Sequence, residues 1–181
     1  VTVSVNDATW GILTSQTTTG DSYGKNSSHT GSYTTTALSA DIDDWGIIGK
    51  SVTTGTSLGQ NGVTTGTYTT TSTNDPDWGI LIAQTTVGDS WGKNNAHTGT
   101  YTTVASNIND WGVIGASTTT GDSYGKNAAH TGTYTTTSTN DTTWGILVSQ
   151  TTTGDSYGKN AAHTGTYTTI ASNIDPDWGV I

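Results

Sequence analysis

The chain has 181 residues and a formal net charge of −9, from 14 Asp against five Lys, with no Arg and no Glu. Binding of nucleic acid depends on clustered cations that neutralise phosphates, so this charge balance excludes a nucleic-acid partner. No segment approaches the roughly 18 apolar residues of a membrane-spanning helix, and no Cys is present. We therefore expect neither membrane insertion nor a disulfide framework.

Composition also predicts the fold class. Apolar residues make up only 30 % of the chain, Gly contributes 24 residues, and Thr accounts for about a quarter. Globular chains are usually about 45–50 % apolar when Gly is counted, so a thick hydrophobic core is not expected. Good helix formers are nearly missing while β-branched Thr, Val and Ile dominate, which predicts an all-β chain with turns.

A tandem repeat organises the sequence. Trp-Gly pairs recur at intervals of 35, 33, 33, 33 and 34 residues, at Trp10, Trp45, Trp78, Trp111, Trp144 and Trp178. The resulting units are residues 10–44, 45–77, 78–110, 111–143 and 144–177, with partial units at 1–9 and 178–181. Odd units continue from WGIL to a Gln and even units from WGII or WGVI to a Gly, so a double repeat of about 67 residues overlies the single one.

Within one unit the predicted elements follow in a fixed order. The first is a strand, WGILVSQTTT in the fifth unit, and GDSYGKN after it holds a turn, a short strand and another turn. A second long strand follows, TGTYTTTST in the fourth unit. An Asp- and Asn-rich turn such as NDPD or NIND closes the unit.

Three architectures accommodate such units in a single repeat domain of residues 1–181. In a β-solenoid each unit is one coil, and Trp, Tyr and Thr stack as ladders. In a small β-propeller each unit is a blade, and in a meander it is one hairpin. Rows of like charge oppose a solenoid, whereas a unit of this length barely supplies four strands. The β-solenoid is favoured, with the propeller and the hairpin meander as alternatives.

The strongest local motif is G-D-S-[Y/W]-G-K-N-x-[A/S]-H-T-G, at residues 20–31, 88–99, 121–132 and 154–165. The second unit keeps the Gly and Asn positions but replaces Asp, Tyr, Lys and His by Thr56, Leu58, Gln60 and Val63. The retained Gly and Asn indicate turns with positive φ. The replaced residues indicate a group of side chains that was lost together.

One hypothesis for this motif is a small carbohydrate-binding site that occurs four times. Asp, Asn and His would hydrogen-bond sugar hydroxyls, the aromatic ring would offer a flat face, and weak sites would add by avidity. The candidate ligand-binding residues are Asp21, Tyr23, Asn26, His29, Asp89, Trp91, Asn94, His97, Asp122, Tyr124, Asn127, His130, Asp155, Tyr157, Asn160 and His163. In the alternative, structural interpretation, Asp pairs with Lys, Tyr packs on a neighbouring unit and His caps a turn.

Metal and catalytic sites have less support, and we expect no cofactor. Carboxylate oxygens of the Asp-rich linkers are the candidates for Ca²⁺, namely Asp41, Asp43, Asp44, Asp75 and Asp77. Zinc needs three or four converging ligands, which the spacing does not indicate. The chain lacks Cys, Glu and the GxSxG and HExxH signatures, so we expect that it is not an enzyme.

The leading functional hypothesis is an extracellular structural or adhesive repeat protein that forms or decorates a fibre, matrix or cell surface. Low complexity, few reactive groups and sheet edges that could template association favour it. Its partners would be further copies of itself or surface glycans. We expect it to be secreted, extracellular or on the cell surface, because a chain that begins at Val1 without Met fits a processed, exported protein.

Two alternative functions follow from other features. The four motifs favour a multivalent carbohydrate-binding lectin. The sequence TYTTTST at residues 67–73 and 133–139 places Thr at alternate positions, which share one face of a strand. Such a Thr array favours an ice-binding protein, although Leu38, Val104 and Ile170 break the pattern in other units.

Overall fold

Eleven β-strands make up most of the chain, which confirms the predicted all-β class. The structure is a computed structural model that describes residues 1–171, 174–175 and 177–179, so residues 180 and 181 of the last partial unit lie outside the described residues. The strands are β1 (Thr2–Asn6), β2 (Leu13–Tyr23), β3 (His29–Ala37), β4 (Lys50–Leu58), β5 (Thr64–Asn74), β6 (Leu81–Trp91), β7 (His97–Ile108), β8 (Ile114–Tyr124), β9 (His130–Asn140), β10 (Leu147–Tyr157) and β11 (His163–Ala171).

All eleven strands lie in one open antiparallel sheet, in the order of the chain. Each repeat unit is one hairpin, from β2 and β3 in the first unit to β10 and β11 in the fifth. Of the three arrangements expected, each unit takes that of the meander, and the array grows by repetition along one axis as a solenoid does. The physical reason is the shortness of the connections, because tight turns join antiparallel neighbours whereas parallel strands need long crossovers.

A two-residue turn closes the hairpin of each unit. In the first unit Asn26 and Ser27 have φ of 59° and 57°, and the Ser28 N–H donates to the Lys25 carbonyl oxygen at 3.4 Å. Two consecutive residues with positive φ are typical of a type I′ turn, whose twist matches that of the flanking strands. The predicted positive φ is thus confirmed for Asn, but not for the preceding Gly24, whose φ is −97°.

Trp-Gly loops join one hairpin to the next at the opposite end of the strands. The Gly has a φ between 63° and 82° in all six pairs, a conformation that side chains other than Gly rarely adopt. An Asp or Asn fixes the start of each loop. In the loop between β5 and β6, for example, Asp75 Oδ1 accepts hydrogen bonds from the backbone N–H groups of Asp77 and Trp78, each at 2.9 Å.

The sheet has no hydrophobic core. Its accessible surface is 11564 Å², whereas the scaling for compact monomers gives about 8,300 Å² at this mass. Among the described residues, no large side chain is fully buried, and Ala37, at 4 % exposed, is the one buried hydrophobic residue. The sparse apolar composition predicted this outcome, and cross-strand side-chain pairs replace a core as the source of stability.

One face of the sheet, here the tyrosine face, carries a row in which Gly and Tyr alternate. Tyr33, for example, lies opposite Gly20 on one side and Gly55 on the other. A Cβ on Gly20 would overlap the Tyr33 ring, and the same holds for the four other hairpins. The Gly of the motif therefore makes room for an aromatic ring that lies across the neighbouring strand, as in the aromatic rescue of glycine in sheets.

Candidate functional site

The two ends of the strands carry different groups of side chains. The turn end contains the type I′ turns and the Asp, aromatic and His residues of the motif. The tryptophan end contains the six Trp-Gly loops. Because the units are hairpins side by side, each group recurs every two strands, roughly 10 Å apart along the sheet.

At the turn end, the structure brings together the Asp, the aromatic residue and the His of each complete motif. In the first unit, Tyr23 lies opposite His29 across the hairpin, and Asp21 Oδ1 is 3.2 Å from His29 Nε2. The equivalent Asp–His distances are 2.9, 3.0 and 2.9 Å in the third, fourth and fifth units. The carboxylate is therefore bonded to His, and not to Lys as the structural interpretation supposed.

The aromatic and His rings continue from one unit to the next as a ladder. His97 stacks on Tyr124 of the following unit with ring centroids 5.3 Å apart, and His130 lies 5.0 Å from Tyr157. Within the hairpins, the ring centroids are 4.9 to 5.8 Å apart. The ladder comprises Trp91, His97, Tyr124, His130, Tyr157 and His163. This arrangement agrees with the expectation that Tyr packs on a neighbouring unit.

The second unit interrupts the ladder. Leu58 occupies the aromatic position, and the residue opposite it is Thr64. The equivalent of His is therefore Thr64, and the assignment of Val63 to that position was wrong by one residue because the turn had been aligned without the strand register. Tyr23 and His29 form an isolated pair on the far side of this gap. The group lost from the second unit is thus a set of side chains in mutual contact.

The motif Asn residues do not join the Asp–His group. Asn26, Asn94, Asn127 and Asn160 sit in the turns with positive φ, and none of their side chains makes a hydrogen bond within the described part of the chain. Their local role is the turn backbone. Trp91 differs from its Tyr counterparts, because its Nε1 is buried and no described protein atom accepts from it.

Burial affects two of the tyrosines on the tyrosine face. Burial raises the pKa of the Tyr101 hydroxyl above its ordinary value of 10.0, and Tyr68 and Asp89 raise this pKa further. Burial likewise raises the pKa of Tyr134, with smaller contributions from Tyr101, Tyr167 and Asp122. The tyrosine row is therefore a continuous structural element in which neighbouring hydroxyls influence one another.

The tryptophan end is the most exposed aromatic surface of the molecule. Its six tryptophans are 79 to 85 % exposed. Their loops pack through backbone and aliphatic groups instead, since a Cβ on Gly46 would meet Ile12 and one on Gly112 would meet Ile80. Sequence reasoning used these tryptophans only to define the repeat. Their position beside turn-forming Asp and Gly residues was the signal that could have indicated exposure.

The candidate Ca²⁺ ligands lie at this same end. Asp43 Oδ1 accepts from the backbone N–H groups of Trp45 and Ile47, as Asp75 does in its own loop. Asn109 replaces Asp at the equivalent position and makes the same two bonds, so the role does not need a negative charge. No group of three or more metal-ligating side chains converges within the described residues.

Two threonine rows cross the sheet in different environments. On the tyrosine face every strand contributes one Thr, from Thr2 on β1 to Thr169 on β11, and alternate neighbours bond through their hydroxyls, as Thr103 and Thr119 do at 2.8 Å. On the other face, here the threonine face, one row contains nine Thr and Val87. They are Thr19, Thr34, Thr54, Thr69, Thr102, Thr120, Thr135, Thr153 and Thr168.

Comparison with models of protein families finds no match, and comparison with curated proteins finds no significant similarity. Among the described residues, no helix has the length and apolar character needed to cross a membrane. Functional arguments therefore depend on the geometry of the two ends and the two faces of the sheet.

Proposed function

We propose that this chain is an extracellular, non-enzymatic adhesive protein that attaches to an extended surface through many equivalent weak contacts. The observation that carries this proposal is the row of six tryptophans at one end of the sheet, each at least 79 % exposed. A large exposed apolar row is the informative exception in a protein surface, because it has no stabilising role in the free molecule.

The energetics of Trp contacts suit such a role. Covering about 150–250 Å² per Trp at about 25 cal/mol per Å² stabilises a complex by roughly 4–6 kcal/mol before entropic costs. Because all six loops belong to one sheet, the tryptophans are held in a fixed array, and binding of one ring raises the effective concentration of the others. Modest individual contacts would therefore add up to firm attachment.

The geometry of the motif supports a role without catalysis. Asp21 and Ser22 are adjacent on β2, so their side chains point to opposite faces of the sheet. His29 bonds Asp21, which leaves Ser22 on the other face, opposite Gly31. The Asp, Ser and His of the motif therefore do not form a nucleophilic triad, which requires the His to reach both other residues.

Graded removal of tryptophans tests the adhesive function. Retention of the protein would be measured on particles of microcrystalline cellulose, chitin and collagen. Replacing all six exposed tryptophans with Ala should lower retention on the particles that bind the wild type by 100-fold or more, as expected for lost multivalency. The control replaces Lys25, Lys93, Lys126 and Lys159 at the turn end with Ala. Equal retention of the two variants, or no retention of the wild type on any particle, would overturn the proposal.

Association of chains through their sheet edges forms a second part of this adhesive proposal. The outer sides of β1 and β11 are the edges of the described sheet, and an unpaired strand edge can template addition of another strand. Sedimentation velocity and negative-stain electron microscopy over a concentration series should show oligomers or filaments. A monomer at every concentration would remove self-association from the proposal and leave surface attachment intact.

The threonine face favours ice binding as a second candidate function. Its row of nine Thr and one Val has about 4.8 Å between strands, and a parallel row rich in Thr runs about 7 Å away along the strands. None of the nine hydroxyls bonds a described protein group, whereas the Thr row of the tyrosine face is paired. Regular, unpartnered hydroxyl and methyl groups are suited to ordering water.

Ice shaping by the purified protein tests this candidate. Thr102, Thr120 and Thr135 would be replaced together by Tyr, which should abolish shaping if the lattice binds ice. The matched control replaces Thr103, Thr119 and Thr136 of the tyrosine face with Val, which keeps the branched shape at each position. Smooth, unshaped crystals with the wild type would reject ice binding without affecting the adhesive proposal.

A further inference from the structure

The double repeat builds two equivalent grooves on the tyrosine face, next to the tryptophan end. Their volumes are about 420 and 490 Å³. The first is lined by Gln16, Ala37, Ser51, Asn74 and Trp78. The second is lined by the corresponding residues of the next double repeat, Gln84, Ala105, Ser117, Asn140 and Trp144. The same chemistry is therefore presented twice, four strands apart, at a spacing of roughly 19 Å.

Alternation between odd and even units creates these grooves. An odd unit supplies the long side chain Gln16 as one wall, and the following even unit supplies the short Ser51 at the equivalent position. Ala37 lies on the floor and is nearly inaccessible. The depression exists because a small residue follows a large one in a period of two units, so the 67-residue period has a structural consequence that the 33-residue period lacks.

The amide side chains in each groove are held in fixed orientations. Gln84 Nε2 donates to Ser72 Oγ at 3.1 Å, and Asn140 Nδ2 donates to the Ile114 carbonyl oxygen at 3.0 Å. Gln16 and Asn74 make the equivalent bonds in the first groove. The amide oxygens receive no hydrogen bond from the described part of the protein, so each groove offers two acceptors that are already oriented.

The groove lining selects against charged ligands. No Asp or Lys lines either groove, although the chain carries 14 Asp. Each groove instead combines oriented amide oxygens, a Ser hydroxyl and a Trp ring at its rim, and Trp78 and Trp144 are each 79 % exposed. A neutral sugar matches this set, because its hydroxyls donate to the amide oxygens while its C–H face lies on the ring.

We infer that the two grooves are binding sites for successive segments of one neutral, linear polysaccharide. This inference rests on the proposed adhesive function and names its ligand class. A linear polymer that lies across the strands can reach both grooves, and binding at one raises the effective concentration of the chain at the other. The sites differ from the Asp–His groups of the turn end, where the polar atoms already bond one another.

The experiment measures binding of soluble oligosaccharides by calorimetry, with neutral β-linked glucose and N-acetylglucosamine hexamers and an anionic galacturonate hexamer as probes. Trp78→Ala and Trp144→Ala should each remove one equivalent of neutral-hexamer binding and leave the affinity of the remaining sites unchanged. Trp45→Ala and Trp111→Ala are the matched controls, because these equally exposed tryptophans line neither groove. Gln84→Ala should weaken its own site, whereas Gln60→Ala, in a turn at the opposite end, should have no effect.

Each outcome decides the inference separately from the adhesive function. Loss of one equivalent at Trp78 and at Trp144, without loss at Trp45 or Trp111, supports the two grooves. Equal effects of all four variants, binding of the anionic probe alone, or no binding of the neutral probes would overturn the grooves as sugar sites. If Trp-dependent retention on particles persists in that case, the adhesive function stands with a different ligand. If both are absent, both proposals fail.

Discussion

Tyr134 lies directly opposite Gly121 on the neighbouring strand, and its ring occupies the space that a Cβ at Gly121 would need. The backbone oxygen of Thr100 closes the same space from the other side. Gly121→Ala should therefore destabilise the protein by about 1–3 kcal/mol, the usual cost of overpacking, measured by urea denaturation. Gly165→Ala is the matched control, since nothing lies within 4 Å of its added Cβ. Equal effects of the two changes would show that the ring yields without cost.

The aromatic ladder predicts unequal costs for removing His from different units. His130 contacts the rings of Tyr124 and Tyr157, whereas His29 contacts only Tyr23 among the described residues. Both also bond an Asp. His130→Ala should therefore cost about 0.5–1.5 kcal/mol more than His29→Ala, the worth of one aromatic contact. The difference in urea midpoints measures this, and equal midpoints would contradict a ladder that stabilises the sheet.

The Asp of the Trp-Gly loop should act through its oxygen and not through its charge. Asp75→Ala removes the acceptor for two backbone N–H groups and should destabilise the protein by about 0.5–2 kcal/mol. Asp75→Asn should stay within about 0.5 kcal/mol, because Asn109 makes the same bonds in its own loop. Thermal denaturation followed by circular dichroism distinguishes the variants. A large loss with Asn would indicate that the charge itself matters.

The raised pKa values of Tyr101 and Tyr134 predict alkaline sensitivity. Since the pKa of each hydroxyl is higher in the folded than in the unfolded chain, the unfolded state releases these protons first as the pH rises. Stability should be constant below about pH 9 and should fall as the pH passes 10 towards the folded pKa. Denaturation midpoints between pH 8 and 11 measure this, and Tyr134→Phe should flatten the profile. An unchanged profile in Tyr134→Phe would assign the alkaline loss to other groups.

The sequence alone determined the strand class, the repeat and the turns. Strand-forming Thr and the near absence of helix formers specify β-structure locally, and Asn26 and its equivalents specify type I′ turns because Asn tolerates positive φ. Trp-Gly pairs marked the loops correctly for the same reason, since Gly11 and the other five Gly adopt positive φ. These features depend on residues close together in the chain, which a single sequence displays directly.

The candidate site was predictable in part. Loss of Asp, Tyr and His together from the second unit indicated a cooperating group, and the structure shows the contacts that join Asp122, Tyr124 and His130. Spacing could not show which atoms pair, because the bulge between Ser123 and Tyr124 shifts the register and brings His opposite the aromatic residue. Without that register, Val63 took the place of Thr64, and the Asp partner was sought in Lys.

Only the tertiary structure decided which surfaces the repeat presents. Whether units coil, form blades or lie as hairpins depends on pairing between strands that are distant in the chain, and the local sequence is compatible with all three. Once the hairpins lie side by side, Trp78 is exposed at one end, His97 stacks at the other, and Gln84 lines a groove that needs two units to form. The sequence determined what is repeated, whereas strand register determined which repeated side chains meet.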